Sequence, residues 1–118
     1  MTIDPTVADL LAKARTAQAL YEKFNQSEVD DVVAAIAWVV LEPVRNQHLS
    51  ERAVEDTGLG DIDDKFTKNY RKTLGLLRDL TGAPSVGVIA TDSERGLVEI
   101  ARPIGVVGAI TPSTNPVA

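Results

Sequence analysis

Cysteine is absent from the 118 residues, which excludes disulfides, thiolate metal sites and a cysteine nucleophile supplied by this chain. A single histidine, His48, is too few for a histidine metal cluster and leaves only carboxylates for a hard cation. Long apolar runs are missing as well. The longest, residues 32–41, has ten residues, against the roughly 20 that span a bilayer. Residues 1–11 carry Asp4 and Asp9 and no apolar signal core. Basic charge is not in excess: the net charge is −5, so no general attraction to nucleic acid or to an anionic membrane is expected. These absences describe a soluble, cytoplasmic chain with neither nucleic acid nor membrane as a partner.

What is present is ordinary globular composition, with 44% hydrophobic and 25% charged residues. The length suits one domain with one modest core. Residues 1–84 read as helical. Asp4-Pro5 opens a first helix, with an acid at the cap and proline at the first helical position. Leu10, Leu11, Ala14, Ala17, Tyr21 and Phe24 follow at helical spacing. Ser27 with Asp30 resembles a capping box for a second helix. Val29, Val32, Val33, Ile36, Val40 and Val44 then recur at three- and four-residue steps, and this helix is expected to be the most buried. Trp38, on its crowded side, is expected in core or interface packing rather than ligand stacking.

Pro43 is expected to kink or end that helix, and residues 50–57 to form a short one stopped by Gly58. Asp61 and Asp63 offer caps for a further helix with Phe66, Tyr70, Leu74, Leu77 and Leu80 on one side. Its other face carries Lys65, Lys68, Arg71, Lys72 and Arg78, a solvated helix face or a strip that binds phosphate or a partner. Asp61, Asp63 and Asp64 lack the ligand spacing and glycine of an EF-hand loop, so capping is the better reading. His48 has no evident nucleophile to pair with and reads as a surface or interhelix residue. Gly58-Leu59-Gly60 reads as a helix stop and turn rather than a phosphate cradle.

After Pro84 the period changes to two. Residues 85–91 and 96–102 read as strands around a four-residue hairpin loop, Asp92-Ser93-Glu94-Arg95. Residues 104–111 are almost wholly apolar, the pattern of a strand buried on both faces of a parallel sheet. This chain holds no sheet for such a strand to join, so the sequence reads as unfinished at its C-terminus. Thr111-Pro112-Ser113-Thr114-Asn115-Pro116 follows directly, where open α/β sheets bind ligands. It is either a rigid strand-exit turn or a ligand loop. Neither a G-x-G-x-x-G turn nor a phosphate-binding P-loop occurs.

Residues 102–116, R-P-I-G-V-V-G-A-I-T-P-S-T-N-P, resemble the first cofactor-domain strand and loop of the aldehyde dehydrogenase superfamily. Most of that superfamily has tryptophan before the loop asparagine. Thr114 stands there in this chain, in the T-N-P form of the CoA-acylating branch. Residues 53–60 (A-V-E-D-T-G-L-G) and Asp64-Lys65-x-x-Lys68-Asn69 resemble the same branch. Arg71-Lys72-Thr73, Leu77-Arg78-Asp79-Leu80 and Glu94-Arg95-Gly96-Leu97-Val98 resemble acylating sulfoacetaldehyde dehydrogenases.

The resemblance implies an α/β fold: N-terminal helices (residues 1–84, part of a cofactor-binding domain), a β-ribbon for oligomerisation (85–103), then the first strand and loop of that domain, incomplete (104–118). It implies an oxidoreductase of aldehydes using NAD or NADP with CoA as co-substrate, in a homo-oligomer acting on a small aldehyde. Ile110, Thr111, Pro112, Ser113, Thr114 and Asn115 match the loop lining the nicotinamide cofactor cleft. Asn115 matches the asparagine whose amide holds the substrate oxyanion. The family's cysteine nucleophile is not in this chain, so the fragment is expected to be inactive alone. The alternative is a non-enzymatic helical and β-ribbon oligomerisation module.

Overall fold

A computed structural model describes residues 4–112. In class it is α/β: four helices, α1 (Pro5–Tyr21), α2 (Gln26–Leu41), α3 (Pro43–Thr57) and α4 (Ile62–Leu80), precede a two-stranded antiparallel ribbon, β1 (Gly87–Asp92) and β2 (Leu97–Ala101). The chain divides into two compact units, Met1–Val29 with Pro84–Gly108, and Asp30–Ala83 with Ala109–Ala118.

In the first unit, the Asp4 carboxylate accepts from the Thr6 N–H at 2.8 Å and Pro5 occupies the first turn, as the sequence suggests. The start of α2 is capped by a different pair from the one expected. The Asn25 N–H donates to the Glu28 carboxylate at 2.8 Å, while the Glu28 N–H donates to Asn25 Oδ1 at 3.1 Å. Asn25-x-x-Glu28 satisfies the reciprocal rule with its preferred acid, whereas Ser27-x-x-Asp30 lies inside the helix.

Gln26 anchors the entry to the ribbon. The Ser85 N–H donates to its Oε1 at 2.8 Å and its Nε2 donates to Ser85 Oγ at 2.9 Å. The hairpin forms where expected. Asp92 Oδ1 accepts from the Glu94 and Arg95 N–H groups at 3.1 and 3.0 Å, Gly96 takes φ 65°, and the register runs from Asp92↔Leu97 to Gly87↔Ala101 with a bulge near Ala90. Val88, Ile89, Leu97, Val98 and Ile100 are all exposed.

In the second unit the core sits between α3 and α4. Pro43 ends α2 and also begins α3, seven residues earlier than the short helix expected there. The Glu42 carboxylate accepts from the Val44 and Arg45 N–H groups at 3.0 and 2.9 Å, so the proline's missing donor costs nothing. Gly58 closes α3 in the left-handed conformation at φ 64°.

Two expectations fail here. On α2 only Ala37 and Leu41 are buried, and Trp38 is 57% exposed, outside the core. On α4 the buried positions are Lys65 and Asn69 rather than the apolar row, of which Tyr70, Leu74 and Leu80 are exposed. The row is helical in spacing, but α4 turns a more polar stripe toward α3.

Candidate functional site

Residues 104–112 carry the described part of the predicted site. They adopt no strand, because no described strand lies beside them to complete a ladder. The apolar side chains expected between two layers stand in solvent instead: Ile104 is 92% and Ile110 100% exposed. Thr111 and Pro112 are exposed too, while Ser113, Thr114 and Asn115 lie outside the described residues. The structure thus places three of the six loop residues, on the surface, and leaves the proposed oxyanion donor outside its description.

Within the first unit, residues 105–108 lie against α1. With Leu11, Arg15, Gln18, Ala19 and Glu22 they line a concavity of about 490 Å³. One of these lining residues, Gln18, has a buried Nε2 that makes no hydrogen bond among the described residues. Gly105 adopts φ 104°, a conformation closed to ordinary side chains.

The second concentration of polar chemistry is in the second unit, and the hydrophobic pattern gave no sign of it. Asn46 is 0% exposed, and its Nδ2 donates to the Phe66 carbonyl at 3.0 Å. Asn69 Nδ2 donates to Asn46 Oδ1 at 3.0 Å, and Ser50 Oγ donates to the Asn46 carbonyl at 2.8 Å. Asn46-x-x-x-Ser50 on α3 and Lys65-x-x-x-Asn69 on α4 are polar pairs at one-turn spacing, the signal that locates such a seam. Lys65, 9% exposed, lays its chain over Gly60: a Cβ there would meet its Cε at 3.2 Å.

Lys68 follows one turn on, half-buried. Burial holds its pKa below the ordinary lysine value, and the charges of Lys65 and Lys72 press in the same direction. Arg71, Lys72 and Arg78 are exposed, Arg78 pairing with Asp79 at 2.8 Å, so the basic face is solvated only in part.

The remaining candidates take structural roles. His48 is exposed on α3. Asp61 caps α4, accepting from the Asp63 and Asp64 N–H groups at 2.9 and 3.1 Å. No helix among the described residues is long and apolar enough to cross a membrane.

No family model matches the chain. Among curated proteins, acylating sulfoacetaldehyde dehydrogenase of Cupriavidus necator is 62% identical over 112 residues, 95% of this chain and 23% of that protein. The acetylating succinate-semialdehyde dehydrogenase of Clostridium kluyveri is 36% identical over 117 residues, 99% of this chain and 25% of that protein. Among solved structures, an acetylating aldehyde dehydrogenase from Geobacillus thermoglucosidasius superposes with a TM-score of 0.87 at 38% identity, covering 94% of this chain and 24% of that one. The chain therefore spans about a quarter of the length of these relatives. Over nearly its whole length, in sequence and in fold, it is similar to the N-terminal part of the CoA-acylating aldehyde dehydrogenases.

Proposed function

We propose that this chain serves as the N-terminal part of an NAD(P)-dependent CoA-acylating aldehyde dehydrogenase, with sulfoacetaldehyde as its aldehyde. The overall reaction is aldehyde plus CoA plus NAD(P)⁺ giving acyl-CoA plus NAD(P)H and a proton. The 62% identity over 112 residues to the Cupriavidus necator enzyme is the observation that carries this reading.

The chain's own contribution is positioning. Residues 110–112 offer an exposed run of backbone and the Thr111 hydroxyl, which suits one wall of a nicotinamide cleft. With no G-x-G-x-x-G turn, no pyrophosphate contact is assigned to them. A nicotinamide cofactor bound in that cleft would supply the hydride acceptor. Asn115 is assigned as an oxyanion donor. Its uncharged amide is a donor suited to negative charge that develops on the substrate oxygen. The nucleophile is a cysteine that residues outside this chain must supply, and the 118 residues alone are inactive on this account.

The test uses an enzyme completed by the C-terminal part of the Cupriavidus necator relative. Asn115→Ala lowers turnover by roughly 10²–10³, with cofactor affinity nearly unchanged. Thr114→Ala, which leaves the donor in place, keeps turnover within about tenfold. Unchanged turnover for Asn115→Ala removes the assignment. Joint loss of stability and cofactor affinity, with normal turnover, makes Asn115 a turn-shaping residue instead.

A further inference from the structure

We infer that Gln26 is the residue that aims the ribbon: its amide, clasped to Ser85, holds β1 and β2 in one direction relative to α1. The Ser85 N–H donates to Gln26 Oε1 at 2.8 Å and Gln26 Nε2 donates to Ser85 Oγ at 2.9 Å, across 59 positions of sequence. A single hydrogen bond leaves its two groups free to pivot. Two bonds from one planar amide remove that freedom. The backbone N–H can only donate, so it also decides which end of the amide faces it.

Both sides of the clasp stand on fixed backbone. The N–H groups of Glu22, Lys23 and Phe24 close the end of α1 onto the carbonyls of Gln18, Leu20 and Tyr21 at 2.9, 3.1 and 3.0 Å. The reciprocal Asn25–Glu28 cap then starts α2 around Gln26. On the other side, Pro84 restricts the backbone just before Ser85, and Gly87, at φ 75°, turns the chain into β1.

Packing gives the ribbon little direction. Every residue of β1 except Asp92, and every residue of β2 except Ala101, is exposed. Neither strand packs on α1. Beside the clasp, Tyr21, Phe24, Val29, Val86 and Pro103 border a cleft of about 210 Å³, and a gap gives its walls few dispersion contacts. An arm held in this way keeps its direction only while the clasp is closed. Any pairing through the ribbon depends on that direction, because an arm already aimed loses less freedom on association than one that must first be ordered. The clasp is separate from the aldehyde chemistry proposed above, so either can fail without the other.

The cysteine-free chain permits two spin labels at chosen positions. Ala12→Cys on α1 and Ser93→Cys in the hairpin loop, both at exposed positions, report the distance between helix and ribbon by electron–electron dipolar spectroscopy. Unlabelled chain in excess suppresses signals between copies, and circular dichroism checks that the helices are intact. The expected result is one narrow distance distribution in the labelled parent and its loss, by broadening, in Gln26→Leu. Gln26→Glu keeps the narrow distribution, because a carboxylate accepts from both the Ser85 N–H and the Ser85 hydroxyl. If Gln26→Leu does not fold, Ser85→Ala takes its place. It removes the hydroxyl bond alone, so the distribution widens less, and an unwidened one overturns the inference. A broad distribution in the parent overturns it as well, as does a narrow one in Gln26→Leu. Gln26→Glu as broad as Gln26→Leu also overturns it, since the two hydrogen bonds would then not be what fixes the ribbon.

Discussion

Asn69 Nδ2 donates to Asn46 Oδ1 at 3.0 Å, and both carboxamides are buried in the seam between α3 and α4. Asn46 donates in turn to the Phe66 carbonyl, so one side chain bonds α4 at two levels, through its backbone and through Asn69. A buried amide that loses its partner bears its full desolvation cost. Asn69→Leu and Asn46→Leu should each destabilise the fold by about 1–3 kcal/mol. The double variant should cost less than their sum, because neither partner is then left alone. Urea unfolding followed by Trp38 fluorescence measures all three. Strictly additive losses would mean that the pair is not coupled.

Gly60 gives a second, local test. At φ 81° it occupies backbone space that favours glycine, and a Cβ would press on Lys65 Cε at 3.2 Å. Gly60→Ala should cost about 1–3 kcal/mol through backbone strain. Gly58→Ala meets the same strain but no neighbouring atom within 4 Å, so it should be the milder change. Equal losses would show that Lys65 does not lean on Gly60.

The Glu42 cap makes a prediction about pH. The N–H of Arg45, then that of Val44, holds the Glu42 carboxyl below its ordinary pKa. Its folded value is the lower one, so its stabilisation is complete above the usual glutamate range and is lost as pH falls through the folded value. Glu42→Gln should therefore lower Tm near neutral pH and have a smaller effect in acid. A Tm difference that persists undiminished in acid would contradict the charge-assisted cap.

The ribbon bears on assembly. Val88 and Ile100 are cross-strand partners and both are exposed. We expect the isolated chain to self-associate through such surfaces and the open ribbon edges. Val88→Lys with Ile100→Glu should reduce the mass seen by light scattering. A sharp monomer for the unaltered chain at high concentration would count against the ribbon as an assembly element.

Much of this architecture was legible because local chemistry decides it. Asp4-Pro5, Asp61, Gly58 and the Asp92 turn each satisfy specific backbone groups, and those groups do not depend on the rest of the fold. Asn25-x-x-Glu28 is equally local, but Ser27-x-x-Asp30 two residues on resembles the same motif and competes with it in the sequence. Burial was harder to read. The valine-rich α2 and Trp38 expose apolar surface, while Lys65 and Asn69 go inside, since periodicity identifies a face but not what covers it. The candidate loop was legible only by resemblance. Half of it lies outside the described residues, and no described strand lies beside the rest.

The most direct test replaces the matching 112 residues of the Cupriavidus necator sulfoacetaldehyde dehydrogenase with this chain. The hybrid's CoA- and NAD(P)-dependent oxidation of sulfoacetaldehyde is then compared with that of the parent. The proposed function predicts turnover within about tenfold of the parent, or roughly 1.4 kcal/mol of barrier, and its loss on Asn115→Ala. A hybrid that is folded and assembled like the parent but forms no acyl-CoA would contradict it.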